Sequence, residues 1–387
     1  MPEVNCNYHS RNERRKECKN DINDRKHSND SKYHPLKLER EYVRASNATK
    51  IDKFMAKPFI SAYTLHDEGI NKLAAYKNNF LTSNYSNEVV LWNLKEKNLT
   101  KKFCMENLIK AISISKENIF IAQNNEVEVK GILSDRNETI MVGQNVNSLD
   151  VTDKYLAVGT FSTFYKYDLE RSYSPIYQLR KGCKEVKINQ SFGNVVGIAT
   201  ETDITLQDTR TNQEIAKIEM EAQCLEFYEN KMSVGSKNAL KIFDLRMIEK
   251  AENDYKFTNT VLSVAMKNTK IFSAGTSDST IHLFNKENKI SDTYYNDKMG
   301  MIYGLRYSSC GNYLISASDD GNLRLWKANA NEKTVQSYRE RKNRQINWEL
   351  QEKFKDVAEI KRIKNHKFLP KEIKNKLKQM KESKKNK

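Results

Sequence analysis

Near the C-terminal end of the chain, cations are interleaved with flat side chains. Arg339, Arg341 and Arg344 stand near Tyr338 and Trp348, and Lys361, Arg362, Lys364, Lys367 and Lys371 surround His366 and Phe368. Cations that neutralise phosphates, beside rings that can stack, are the side chains RNA contact needs. An amphipathic helix packed on a partner protein, its charges solvated, is the other reading, and a large particle accommodates both. A second basic group, Arg40, Arg44, Lys50, Lys53 and Lys57, would face a partner from before residue 58.

Other chemistries find little support. Cys6, His9, Cys18 and His27 fit no compact zinc spacing and have no apolar residues around them. The six cysteines are scattered without paired spacing, which reads as free thiols in a reducing compartment. No nucleophile motif, phosphate loop or metal spacing appears, so neither catalysis nor a cofactor is implied. No apolar run reaches the ~18–20 residues that span a bilayer, and the first residues lack the apolar core of a signal peptide.

The net charge of +16 is unevenly held. Residues 1–58 carry 14 basic and 9 acidic side chains, residues 59–329 carry 33 of each, and residues 330–387 carry 19 and 8. A neutral body with basic ends suggests a body that binds proteins and ends that meet a polyanion. Lys-rich tails that only aid solubility would give the same count.

The elements that position these groups follow from a repeat. YLISASDDGNLRLWK, Tyr313–Lys327, reads as a strand, an Asp-Gly turn and a second alternating strand that closes on Trp326. Six weaker copies close on Trp92, Val129, Tyr167, Gln207, Phe243 and Phe284, at steps near the ~40–45 residues of a four-stranded blade. Each follows a short apolar strand and leads into another. The pattern resembles the WD40 repeat and predicts an all-β fold, a seven-bladed β-propeller over residues 59–329. Trp92 and Trp326 keep the family's Trp, and Asp168, Asp208 and Asp244 keep its Asp. Asp278 and Asp320 hold the family's turn Asp, whereas Ser86 stands there in the first copy, so that network is expected to be absent from blade one. The inner strands Ile70–Tyr76, Ile109–Ser115, Val261–Met266 and Ile302–Ser308 offer almost no His, Asp or Glu for a channel active site.

No outermost strand follows Trp326, so Phe59–Leu65 is expected to close the last blade. Residues 1–33 are polar and are expected to be a disordered basic tail. Residues 34–58 read as two short helices, the second capped at Ser46 or Asn47 with an apolar stripe of Ile51, Phe54 and Met55. Residues 330–387 read as a basic helical extension with a stripe through Val335, Tyr338, Ile346, Leu350 and Phe354 and a break at Leu369-Pro370.

The flanks resemble a narrower group. Asn47-Ala48-Thr49-Lys50 and Ala56-Lys57-Pro58-Phe59 before the repeats, and Tyr338-Arg339-Glu340-Arg341 and Glu359-Ile360-Lys361-Arg362-Ile363 with His366 and Pro370 after them, are similar to the conserved ends of the Sof family. These are WD40 proteins named for suppressing a fibrillarin defect. The resemblance implies a non-catalytic scaffold of the nucleolar small-subunit processome. Its partners there would be processome proteins, pre-rRNA and the box C/D small nucleolar RNP, and its role maturation of 18S rRNA as a monomeric subunit. Some animal members of the family are also substrate receptors of a cullin-type ubiquitin ligase. That role uses an Asp-x-Arg box, for which Asp208-Thr209-Arg210 and Asp244-Leu245-Arg246 are the candidates. The same box can simply stabilise a strand end.

Overall fold

Short alternating runs, separated by turns rich in Asn, Asp and Gly, fold back on themselves as antiparallel strands. A computed structural model describes residues 37–54, 56–64, 66–94, 96, 98–134, 136–170, 174–193, 195–285, 288–330, 338–355, 357, 360 and 375. The chain divides into two units, Met1–Ala56 with Lys333–Lys387, and Lys57–Glu332.

The larger unit is a seven-bladed β-propeller of four-stranded sheets. A single strand, β1 (Phe59–Thr64), precedes the first blade, which is β2 (Ile70–Tyr76), β3 (Asn79–Asn84), β4 (Glu88–Asn93) and β5 (Asn98–Cys104). The second is β6 (Ile109–Ile114), β7 (Asn118–Gln123), β8 (Glu126–Gly131) and β9 (Asn137–Met141). The third is β10 (Val146–Val151), β11 (Tyr155–Thr160), β12 (Phe164–Asp168) and β13 (Pro175–Leu179). Blade four is β14 (Glu185–Ile188), β15 (Val195–Ala199), β16 (Ile204–Asp208) and β17 (Glu214–Ile218). Blade five is β18 (Cys224–Tyr228), β19 (Lys231–Gly235), β20 (Ala239–Asp244) and β21 (Met247–Lys256). Blade six is β22 (Val261–Met266), β23 (Ile271–Thr276), β24 (Thr280–Asn285) and β25 (Asn288–Tyr295). The last contains β26 (Ile302–Tyr307), β27 (Tyr313–Ser318) and β28 (Asn322–Lys327), with β1 as its fourth strand.

The core lies between neighbouring sheets. Phe120, Val127 and Val129 of the second blade pack with Leu149, Leu156 and Tyr167 of the third. No blade can bury both its faces alone, so the ring has to close. In β1, Ser61 pairs with Leu325, Ala62 with Arg324 and Tyr63 with Leu323. Phe59 meets Trp326 edge-on at 5.3 Å, and Tyr63 reaches Trp92 of blade one at 5.6 Å. The Asp320-Gly321 turn of this blade needs its glycine. Gly321 has φ +74, and an added Cβ would lie 2.8 Å from the His66 carbonyl oxygen.

The smaller unit contains α1 (Lys37–Phe54) and α2 (Tyr338–Phe354), packed together. Sequence reasoning expects two short helices before the propeller, but α1 is continuous. The Ser46-Asn47 pair does not break it, because Thr49 Oγ1 donates to the Ser46 carbonyl at 2.9 Å within the helix. The expected stripe on α2 is also displaced. Tyr338 is 78% exposed and Ile346 is in the open, while Arg344, Asn347, Leu350, Gln351 and Phe354 form the half-covered face. The helix meets one neighbour rather than a core, so polar residues share that face. The side chains of Ile51, Phe54 and Met55, the first 36 residues, Val335 and the Leu369-Pro370 break lie outside the described residues.

Because β1 supplies the last blade's fourth strand, deleting residues 59–64 should lower the melting temperature by more than about 10 °C and broaden the transition. An unchanged, equally sharp calorimetric transition would contradict this closure.

Candidate functional site

Along each blade the strands alternate in direction, so the connections sort onto two sides of the ring. Turns from second to third strand, and links from one blade to the next, share one side. Among the described residues this side holds Asp67, Glu68, Glu106, Glu201, Asp203, Glu219, Glu221, Asp278, Asp297, Asp319 and Asp320 against Arg180, Lys181, Lys184, Lys237 and Lys298. The opposite side reverses the balance. Its turns hold Lys77, Lys116, Arg136, Lys154, Arg210, Arg246, Lys267 and Lys270 against Glu96, Glu117, Asp153, Glu170 and Glu229. The neutral body is therefore polarised.

The turn networks explain what the repeat residues do. In the last blade, Trp326 Nε1 donates to Ser316 Oγ at 2.9 Å, and Asp320 accepts from Ser318 Oγ at 2.7 Å and from Arg324. Burial would raise the Asp320 carboxyl, but hydrogen bonds from Arg324, Ser318 and Asn322 hold it below the usual carboxylate range. Blade one was expected to lack such a network and has only part of one, since among the described residues Trp92 Nε1 has no hydrogen-bond partner. Glu88 substitutes from the strand: its carboxylate pairs with Lys102 at 2.6 Å and lies 3.7 Å from His66 Nδ1. His66 Nε2 and Thr82 Oγ1 are 2.8 Å apart. A longer side chain two residues past Ser86 reaches the place the family's Asp would fill. In blade six, Asp278 is exposed, and the turn is held by Thr276, Thr280 and His282.

The Asp-x-Arg boxes divide into two jobs. Asp208 Oδ1 accepts from the Arg210 N–H at 2.8 Å, and Asp244 Oδ1 from the Arg246 N–H at 3.0 Å. Asp168 makes the same bond to the Glu170 N–H at 2.9 Å, where no arginine follows. The aspartate thus caps the strand end whatever stands two residues on. Arg210 folds back on Asp208 at 3.3 Å with 70% of its side chain exposed, whereas Arg246 points its guanidinium at the Asn230 side-chain oxygen.

The channel carries more charge than the four inner strands singled out from the sequence suggest. Asp150, Glu185 and Glu226 come from the remaining three, β10, β14 and β18. Glu226 pairs with Arg306 of β26, and Asp150 accepts from the Ile188 N–H at 2.8 Å and faces Lys187 at 3.9 Å. Burial would lower the Arg306 pKa, but Glu226 beside it raises it. Among the described residues no group of His, Cys, Asp and Glu could hold a metal, and no helix is long and apolar enough to cross a membrane.

The predicted RNA-contact residues are only partly placed. Arg339 and Arg341 are exposed on α2, Arg344 lies on its half-covered face, and Trp348 is 62% exposed. On α1, Arg44 is exposed while Arg40 and Lys50 are half-buried; Lys57 is exposed at the start of the propeller unit. The side chain of Lys53, and Lys361, Arg362, Lys364, His366, Lys367 and Lys371, lie outside the described residues. Sequence reasoning missed that the two flanking motifs meet: Gln351 Nε2 donates to Thr49 Oγ1 at 3.0 Å.

The fold and its turns define a seven-bladed WD40 propeller protein with a helical unit built from both chain ends. Residues 289–327 match the WD domain, G-beta repeat, and residues 328–387 match the Sof1-like domain. The chain is 28% identical over 393 residues to DDB1- and CUL4-associated factor 13 of Danio rerio, covering 92% of this chain and 87% of that protein. It is 24% identical over 393 residues to Protein SOF1 of Saccharomyces cerevisiae, covering 88% and 80%. The human DDB1- and CUL4-associated factor 13 is 27% identical over 372 residues, covering 89% and 84%. The chain is a homologue of these Sof1-family proteins. WD40-propeller and Sof1-family proteins are generally non-enzymatic.

Two expectations follow. Burial lowers the His66 pKa, with Glu88 opposing it, so the unfolded chain takes up this proton at higher pH than the folded one. The stability contributed by neutral His66 is full above about pH 6.5 and is lost as pH falls below that. The difference in unfolding free energy between wild type and His66→Gln should shrink from pH 7.5 to 5.5; a constant difference would argue against this. Arg306→Met should cost roughly 2 kcal/mol by leaving Glu226 unpaired. Adding Glu226→Leu should restore most of it in urea titrations, and no loss in the single variant would contradict the pairing.

Proposed function

We propose that this protein is a non-catalytic scaffold subunit of the small-subunit processome. It acts with the box C/D small nucleolar RNP in the nucleolus, in processing pre-rRNA to 18S rRNA and in small-subunit assembly. The observation that carries the reading is the Sof1-like domain at 328–387, coinciding with the most basic part of the chain. The propeller presents protein-binding surface, and the helical unit supplies cations and exposed rings. Arg339 and Arg341 beside Tyr338 and Trp348 suit phosphate neutralisation and base stacking. Arg344, Lys361, Arg362, Lys364, His366, Lys367 and Lys371 are further candidate contacts with the particle, as are Arg40, Arg44, Lys50, Lys53 and Lys57. The protein enters the particle as one copy and needs no cofactor.

A second reading has its own support. Several relatives bear the name DDB1- and CUL4-associated factor 13, and Arg210 stands exposed at the end of its box. Here Asp208, Arg210, Asp244 and Arg246 would contact a ligase adaptor. Their aspartates already serve the fold, so Arg210 would carry most of the recognition.

RNA crosslinking in cells should place adducts mainly within 337–375; adducts confined to the propeller would contradict the scaffold reading. Changing Arg339, Arg341, Arg344, Arg362 and Lys364 together to Glu should release the folded protein from pre-ribosomes in a sucrose gradient. Unchanged co-sedimentation would count against the tail as the anchor. Arg210→Ala should leave that co-sedimentation unaltered, and its loss would favour the ligase reading only if adaptor binding vanished with it.

A further inference from the structure

Some carboxylates on the acidic side of the propeller are matched by cations. Glu221 has Lys237 at 3.1 Å and Lys184 at 3.5 Å, and Asp203 has Lys217 at 2.9 Å. The junction between the last and first blades gathers three carboxylates at one place. The link after β1 and the 319–321 turn are in backbone contact: a Cβ on Gly69 would lie 2.6 Å from the Asp319 carbonyl oxygen. This brings Asp67, Glu68 and Asp319 onto one exposed ridge. Among the described residues none of the three has a cation in salt-bridge reach.

One exposed ring and one half-buried ring border the same ridge. Tyr85, from the β3–β4 turn, meets Tyr303 edge-to-face with ring centroids 6.4 Å apart. The Tyr303 hydroxyl lies 3.5 Å from Met301 Sδ. Tyr85 and Met301 each keep 44% of their surface exposed. Partial burial, the Tyr303 hydroxyl and the Asp319 charge push the Tyr85 hydroxyl up to about 12, so it stays a neutral phenol at physiological pH. Ring faces and a thioether beside uncompensated carboxylates favour a cation with an apolar stem. Such a surface repels phosphate.

We propose that this junction docks an arginine- or lysine-bearing segment of a partner protein, with Tyr85 and Tyr303 against the cation and Asp67, Glu68 and Asp319 supplying the opposite charge. Extended basic segments are the chemistry such a surface selects, since rings accept the guanidinium plane and carboxylates its N–H groups. The inference does not depend on whether the helical unit grips RNA.

The test uses the full chain and a fluorescein-labelled nine-residue peptide carrying three arginines, with its citrulline counterpart. Fluorescence anisotropy at physiological salt should show saturable binding of the arginine peptide and at least about tenfold weaker binding of the citrulline one. Tyr85→Ala with Tyr303→Ala, and separately Glu68→Gln with Asp319→Asn, should each weaken binding about tenfold. Glu201→Gln with Asp278→Asn, which removes equal charge elsewhere on the same side, should change it less than about twofold. If the alanine pair lowers the melting temperature, the Glu68/Asp319 pair decides alone. Equal weakening by the distant pair would reduce the effect to general electrostatics and overturn the proposal. Wild-type affinity in the Glu68/Asp319 variant would overturn it too. So would a single-stranded RNA 12-mer that loses binding with these same variants.

Discussion

A ring of sheets has no innermost element that holds the others. Each blade is buried only by its neighbours, so the molecule depends on the pairing of Phe59–Thr64 with Asn322–Lys327. That pairing joins the first strand to the last and removes an otherwise open edge. It also brings the chain's exits together, with the Lys327 N–H donating to the Pro58 carbonyl at 2.8 Å. Both flanks therefore leave the propeller from one place. This is why segments some 300 residues apart can build a single helical unit, in which Thr49 and Gln351 are bonded.

Closure also settles where charge can go. The strands' alternation sends acidic turns to one side and basic turns to the other, although the propeller's total is balanced. Inside the channel, low dielectric makes an unpaired charge costly, and Glu226 and Arg306 meet there across an intervening blade. Charge left over on the outside is free to meet partners. The ends carry the net positive charge, which suits a polyanion. The acidic junction by Asp319 suits the opposite kind of partner.

Much of this was readable because the signals are local. Alternation with an Asp-Gly turn predicts a hairpin from a dozen residues, and seven in register predict the ring. Even the weakest copy, Ile119–Val129, forms a complete hairpin, its Asn124-Asn125 turn reached by Asn124 at φ +32. Signals that failed depend on distance or substitution. The network of blade one moves from Ser86 to Glu88, which no spacing rule anticipates. The pairing of Glu226 with Arg306 joins residues 80 apart in the chain. Leu350 and Phe354 of the expected α2 stripe lie on the half-covered face but Tyr338 and Ile346 do not, because one shallow contact selects Asn347 and Gln351 as readily. Ser46 and Asn47 look like a helix cap, yet Thr49 keeps its hydroxyl inside the helix.

On the proposed reading, a closed, electrically balanced ring carries cationic ends that hold it in an early small-subunit precursor. The most direct measurement is quantitative mass spectrometry and RNA sequencing of what copurifies with the full-length protein from its own cells. The account predicts small-subunit processome proteins together with unprocessed pre-rRNA and box C/D small nucleolar RNA. Recovery of a cullin ligase and its adaptor, with no pre-rRNA, would contradict it.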